Sequence, residues 1–339
     1  MFIKEFLKND SMKFVLLLSI FIAFFIVYFL SPWFIRYLTR IGLVVKDQHK
    51  EGKPLVPLSG GLPVFTGIFF GIMFVIFVQT FYYDSTDRLI DLLAFATSLF
   101  AITFIGFFDD LLIRKDKEES TGLRQWQKPL LTAIAAVPLM VINAGETVIG
   151  VPFFGAWDVG LLYPIVLIPL GVIGASNMIN MLAGYNGLET GLGLIYIGNL
   201  SIYAYVHGSE VAALIGLITC AALFAFLFFN WSPAKLFPGD SLTYLLGGVL
   251  ASMAIIGNIE MAALIISIPF FIEFFLKARG RFKKQGYGVY FKDGKIKSLH
   301  DKIYSIPQFF TIDGKFTEKQ VVFFCFFIQA LFSGLIWLL

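Results

Sequence analysis

Long apolar runs separated by short polar connections set the rhythm of this chain. A helix needs about 20 mostly apolar residues to cross the hydrocarbon core of a bilayer. Scanning for such runs predicts ten spanning helices, at 13–32, 62–80, 90–108, 129–146, 161–179, 188–206, 211–229, 241–257, 260–276 and 320–338. The first follows Lys4, Lys8 and Lys13 and continues without a small-residue cleavage pattern, so it reads as a retained helix rather than a signal peptide. The last long connection, 277–319, alternates apolar and polar residues from Tyr287 to Asp301 around Lys292-Asp293-Gly294-Lys295, which predicts a small β-hairpin.

Composition agrees with a membrane protein. The 339 residues are 58% hydrophobic and 17% aromatic, with 40 Phe and only 14% charged residues, where a soluble domain carries about 25%. The mean hydropathy is +0.81. Length alone would allow two domains, but that expectation comes from soluble folds. The prediction is therefore a single all-α polytopic domain over 1–339, with 277–319 as a large loop inside it. Cys220 and Cys325 both lie in apolar runs and read as small core residues, not as a disulfide or metal set.

Ten spans make the connections alternate sides, and the basic residues divide unevenly between them. The connections after the first, third, fifth, seventh and ninth helices carry 22 of the 26 Lys and Arg, whereas the other side has Lys4, Lys8, Lys13 and Arg88. The positive-inside rule then places the odd connections in the cytoplasm and both termini outside. Polar motifs follow the same division. The outward connections 81–89, 207–210 and 257–260 are chemically plain, whereas the cytoplasmic ones are dense in polar residues. A one-sided active site follows; a transporter would instead place ionisable groups within its spans, which here hold little beyond Glu273.

Asp109 and Asp110 close the third apolar run. Acids at a helix C-terminus oppose its macrodipole, so the pair needs a compensating charge. Lys128, in Leu123-Arg124-Gln125-Trp126-Gln127-Lys128-Pro129, and Mg²⁺ are both suitable partners. Pro57-Leu58-Ser59-Gly60-Gly61 before the second helix is either a phosphate cradle or a simple helix break. In Asn177 to Glu189, Asn177 and Asn180 share a helix face and offer amide oxygens to a metal or polar ligand. The Ala183-Gly184-Tyr185-Asn186-Gly187 turn exposes backbone groups, and the Asn186 amide suits a nucleobase edge. Asp240 can cap the eighth helix, bind a metal, or both, and Phe237 is either a stacking face or packing. Arg279, Arg281, Lys283 and Lys284 fit anionic headgroups or a pyrophosphate.

Together these ordered motifs, Asp109-Asp110, Leu123 to Lys128, Asn177 to Glu189 and Phe237-Pro238-Gly239-Asp240, resemble the polyprenyl-phosphate N-acetylhexosamine-1-phosphate transferases of glycosyltransferase family 4. The resemblance extends over nearly the whole chain and is greatest to the eukaryotic and archaeal dolichyl-phosphate N-acetylglucosamine branch. Bacterial members usually have acidic residues where this chain has Ala183 and Tyr185. The resemblance implies transfer of a sugar-1-phosphate from UDP-N-acetylglucosamine to a polyprenyl or dolichyl phosphate, with release of UMP. Another UDP-N-acetylhexosamine, for a cell-wall or surface polysaccharide, is the alternative donor.

The same resemblance implies Asn180 and Asp240 as ligands of Mg²⁺, with Mn²⁺ as a substitute. Asp109, Asp110 and Lys128 become the catalytic set, the aspartates either deprotonating the acceptor phosphate or supporting the metal and Lys128. Substrate contacts fall to Asn177, Gly184, Asn186, Glu189, Phe237, Arg281 and Lys283. Many relatives have a histidine near Arg281, where this chain has Phe282. Expected partners are the two substrates, membrane lipids and a second copy in a homodimer, with no nucleic acid. The chain's shortness favours an archaeal plasma membrane over the endoplasmic reticulum.

Overall fold

The computed structural model describes residues 10–113, 122–151 and 155–339. Lys4 and Lys8, and the basic residues Arg114, Lys115 and Lys117 of the second connection, lie outside the described residues. The protein's described residues form a helix bundle decorated by three two-stranded antiparallel ribbons.

Helix α1, Asp10–Arg40, has 31 residues and reaches about 46 Å at 1.5 Å per residue. A ribbon of β1, Val44–Lys46, and β2, Leu55–Pro57, follows it. Helices α2, Gly61–Phe81, and α3, Leu89–Leu111, complete the first half. Next come α4, Gln127–Thr132, and α5, Val137–Val141, joined through a 3-10 turn over Ala133–Ala136. The ribbon of β3, Val148–Val151, and β4, Gly155–Asp158, leads to α6, Ile168–Met181. Helices α7, Leu188–Val206, α8, Glu210–Asn230, and α9, Gly239–Gly257, form the second half. After α10, Glu260–Ile266, and α11, Ile268–Arg279, the ribbon of β5, Gly288–Tyr290, and β6, Ile296–Ser298, is the hairpin that the alternating pattern predicts. Short α12, Gln308–Thr311, and long α13, Glu318–Gly334, end the chain.

Each of the ten predicted runs is mostly helical, but among the described residues only seven helices are long and apolar enough to cross a membrane by length and composition. The other three depart for identifiable reasons. Pro138 removes a backbone donor and crowds the carbonyl four residues before it, so the 129–146 run folds as short pieces over Gln127–Val141. Pro269 likewise splits the 260–276 run into α10 and α11, bent by 54°. Helix α7 has 19 residues but carries Asn199, Ser201 and three tyrosines; its inward face is buried against other helices, so it needs less apolar surface. The ribbons β1–β2 and β3–β4 are not foreseen by the apolar pattern.

Helix α9 is the axis of the bundle, buried at every residue from Ser241 to Ile255. Small residues let neighbours approach it closely. A Cβ on Gly247 would lie 2.6 Å from the Ala175 carbonyl carbon of α6, and one on Gly106 of α3 would lie 2.6 Å from that of Asp240. The start of the most buried helix is thereby pressed against the end of α3.

Interactions between connections sort to two ends of this bundle. At the start of α9 the backbone of Phe237 donates to the Pro57 carbonyl at 2.8 Å, and Gly60 N–H donates to the Phe237 carbonyl at 2.8 Å. At its other end, Ser209 Oγ donates to the Gly257 carbonyl and the Tyr163 hydroxyl donates to Glu260.

Candidate active site

The residues that converge at the start of α9 come from helix ends, where backbone dipoles and side-chain charges meet. Asp110, fully buried in the last turn of α3, reaches across to the unpaired N–H groups of α9. Its Oδ1 accepts from Asp240 N–H at 2.8 Å, and its Oδ2 accepts from Ser241 N–H at 3.2 Å and from Ser59 Oγ at 2.7 Å. This is an N-cap supplied by another helix: a carboxylate set on the positive end of a helix dipole. Gly239, with φ +68°, leaves room for it, since a Cβ there would collide with the Asp110 carboxylate.

Asp109 faces the other way. Its Oδ2 pairs with Lys128 Nζ at 2.8 Å and accepts from the Tyr244 hydroxyl at 3.2 Å, while its Oδ1 accepts from Leu123 N–H at 2.6 Å. Lys128 Nζ also pairs with Asp240 Oδ2 at 2.9 Å. One ammonium thus bridges two carboxylates, with the Asp109 side chain 1% exposed and those of Lys128 and Asp240 23% and 21% exposed. Asp109 is the sealed anchor of the lysine, and Asp240 keeps a partly exposed carboxylate.

Asn180 joins this group through α9. Its Oδ1 accepts from Thr243 Oγ1 at 3.1 Å, one turn beyond Asp240. Asn177 acts on the scaffold instead: its amide nitrogen donates to Thr132 Oγ1 at 3.0 Å and to the Ile173 carbonyl at 2.8 Å, tying α6 to the helix that carries Lys128.

The remaining sequence candidates are distributed around this core. Gly184 has φ +111°, and its N–H donates to Glu189 Oε1 at 2.7 Å, so Glu189 closes its own turn. Asn186 is buried; its amide nitrogen donates to Asp47 Oδ2 at 2.9 Å and to Glu318 Oε2 at 3.2 Å. Both backbone groups of Phe237 are engaged by the Pro57–Gly60 segment and its ring is half-buried. Arg281 and Lys283 are exposed on the turn after α11. Gln125 Nε2 donates to the Phe282 carbonyl at 2.7 Å, tethering this turn to the Lys128 segment. Burial, reinforced by Lys284 and Lys277, holds the His300 imidazole below its ordinary value. Burial raises the Tyr185 phenol, which accepts the Gly288 N–H at 3.2 Å.

Sequence reasoning did not foresee Ser59, Thr243, Tyr244 or Glu318 as participants. Ser59 stood inside the Gly-rich segment as an unremarked hydroxyl. The others lie within apolar runs or at the edge of one, and only the packing of α9 and α13 gives them partners.

The fold and this cluster define a polytopic membrane protein with its ionic chemistry concentrated at one end of a helix bundle. The sequence model of glycosyl transferase family 4 matches residues 92–258, which hold Asp109, Lys128, Asn180 and Asp240. A protein of Saccharolobus solfataricus is 33% identical over 94% of each chain, and one of Sulfolobus acidocaldarius is 32% identical over the same shares. Both carry the provisional name UDP-N-acetylglucosamine–dolichyl-phosphate N-acetylglucosaminephosphotransferase. The phospho-N-acetylmuramoyl-pentapeptide-transferase of Lactiplantibacillus plantarum is 31% identical over 74% of this chain and 78% of its own. The chain belongs to glycosyl transferase family 4.

Proposed function

We propose that this protein transfers N-acetylglucosamine-1-phosphate from UDP-N-acetylglucosamine to a polyprenyl or dolichyl phosphate, releasing UMP and forming a lipid-linked pyrophosphate sugar. The observation that carries the reading is the Lys128 ammonium held between Asp109 and Asp240 where four connections meet. A fixed cation at a helix N-terminus suits a reaction that gathers anionic phosphates. The names of the two archaeal relatives support this donor and acceptor.

In the direct displacement we favour, an acceptor phosphate oxygen forms a bond to the β-phosphorus of the donor. The bond from that phosphorus to the bridging oxygen breaks, and its electron pair leaves with UMP. The acceptor is already anionic, so no proton need be removed. Lys128 neutralises charge on the transferred group, Asp109 fixes the ammonium, and Asp110 orients Asp240 by capping α9. Asp110 accepts three hydrogen bonds and is sealed from solvent, which supports a structural role for it over a base or nucleophile. Arg281 and Lys283 are the exposed cations assigned to the diphosphate.

The donor set fits a hard divalent cation: Asp240 offers a partly exposed carboxylate and Asn180 an amide oxygen beside the same helix start. These two residues would hold Mg²⁺, or Mn²⁺, which when bound withdraws charge from the diphosphate. Radiolabelled UDP-N-acetylglucosamine tests the whole reading: UMP release should require the protein, polyprenyl phosphate and Mg²⁺ together. Label retained on Asp109 or Asp110 without acceptor would overturn the direct displacement. A panel of UDP-sugars checks the donor.

We also assign all ten helical runs to membrane crossings, with the Lys128 end in the cytoplasm and both termini outside. The run 129–146 supports this despite its breaks. Lys128 touches the start of α9, while a Cβ on Gly145 would lie 2.6 Å from the Ile255 carbonyl near the end of α9. The α10–α11 pair likewise joins the Tyr163 end to the Phe282 end. An archaeal plasma membrane and a homodimer complete the assignment.

A further inference from the structure

Apart from Lys128 and its carboxylates, the protein holds a second buried polar cluster centred on Glu318, the first residue of α13. Glu318 Oε1 bonds His49 Nδ1 at 2.9 Å and accepts the Asn186 backbone N–H at 2.9 Å. Its Oε2 accepts from Ser232 Oγ at 3.0 Å and Asn186 Nδ2 at 3.2 Å, and is paired with Lys50. Asp47 completes the group by accepting from His49 N–H and Asn186 Nδ2, both at 2.9 Å. Asp47, His49, Asn186, Ser232 and Glu318 are all buried.

Asp47, His49 and Glu318 have the composition of a metal site, with ligand atoms within 4.8 Å of one another. Yet the Lys50 ammonium already supplies the cation, and both Glu318 oxygens are engaged by protein donors. The connectivity points elsewhere. Glu318 joins the tip of the β1–β2 ribbon, the Gly184–Asn186 turn, the segment after α8 and the start of α13. His49 stacks on Tyr185 at 4.4 Å, Tyr185 accepts from Gly288, and Tyr290 N–H donates to the Gln48 carbonyl at 2.9 Å, so the β5–β6 ribbon is carried along. The first connection therefore runs from this hub, at Asp47–Lys50, to the catalytic cluster, at Ser59.

We propose that Glu318 is a positioning residue for the nucleotide end of the donor. It fixes the Asn186 turn against the first connection, and so sets donor affinity without touching the reacting phosphates. The inference rests on the donor reading above and on assigning the Gly184–Asn186 turn to the nucleotide. Two measurements separate the two. Hydrogen exchange on the detergent-solubilised protein should be faster in Glu318→Gln than in wild type over residues 44–57 and 183–189, and unchanged over 104–111. In the UMP-release assay, KM for UDP-N-acetylglucosamine should rise about tenfold, the scale of one lost charge-assisted hydrogen bond. The turnover number should stay within about threefold and KM for polyprenyl phosphate should not change. Ser232→Ala removes one donor and should move exchange and KM the same way by less, so it decides the matter if Glu318→Gln does not fold. Wild-type exchange and KM in a folded variant, or a fall in turnover with KM unchanged, would overturn the positioning role. A wild-type protein that releases no UMP would overturn the donor reading, while the exchange comparison still tests the hub.

Discussion

Asp109 and Asp110 are neighbours whose side chains leave α3 about 100° apart, and this alone gives them different chemistry. Asp109 turns to Lys128, whereas Asp110 turns to the N-terminus of α9. The need for a compensating charge was legible from the sequence, because two acids at a helix C-terminus are unfavourable without one, and Lys128 was identifiable as a partner. That Asp110 would be answered by another helix's backbone was not, since a cap in trans depends on how α3 and α9 cross. The difference predicts distinct mutant behaviour. Asp240→Asn should raise the Mg²⁺ concentration for half-maximal UMP release at least about tenfold, by removing a charged ligand. Asp110→Asn should raise that concentration by less, since Asp240 keeps its charge and loses only its orientation, and should lower thermal stability by about 1–3 kcal/mol, because an amide NH₂ would face backbone N–H donors; a melting curve in detergent checks it. Lys128→Met should reduce turnover about 10²–10³-fold, the usual cost of losing one positioned electrostatic group. Nearly wild-type turnover in that variant would remove Lys128 from the chemistry.

Helix α9 converts these side chains into a site by holding Asp240 immobile against α3. Its own sequence hides that role, since a window rich in Gly, Ala and Ser reads as an ordinary apolar run. The extreme burial comes from close backbone approach, which only the neighbouring helices reveal. Gly106 is where α3 backs onto the Asp240 carbonyl, so Gly106→Ala should push α3 from the start of α9. Overpacking of this kind costs about 1–3 kcal/mol and should lower UMP release together with the melting temperature. Gly171 in α6 has open space where a Cβ would go, so Gly171→Ala should leave both readings at wild type. The same contrast explains what was legible among the elements. Apolar runs reveal where helices lie because lipid demands them, and the alternation around Lys292–Gly294 reveals a hairpin. Breaks at Pro138 and Pro269 were readable as residues, but their outcome, a segmented helix or a 54° bend, is set by what packs on either side.

Lipid solvates the flank of the molecule and water its two ends, and charge is distributed to match. Phe14, Phe21, Phe29, Phe70, Phe77, Phe100 and Phe327 are all exposed on the flank, a surface that would aggregate in water and is ordinary in a bilayer. Among the described residues, Lys50, Lys128, Arg281 and Lys283 belong to the connections at the active-site end, while Arg88 belongs to the other. Both proposed substrates fit that asymmetry: a lipid phosphate would arrive along the membrane, and a nucleotide sugar from the side where the basic loops lie. Orientation is therefore open to a direct test that does not depend on catalysis. Cys220 and Cys325 would first be replaced by Ser, and single cysteines introduced at Lys292 in the β5–β6 turn and at Asp84 between α2 and α3. In right-side-out vesicles a membrane-impermeant maleimide should label the cysteine at 84 and not the one at 292; inverted vesicles should give the reverse. Labelling of both positions from one face would overturn the crossing assignment. Labelling in the opposite sense would put the Lys128 cluster outside, away from any cytosolic nucleotide sugar, and the proposed reaction would lose its donor.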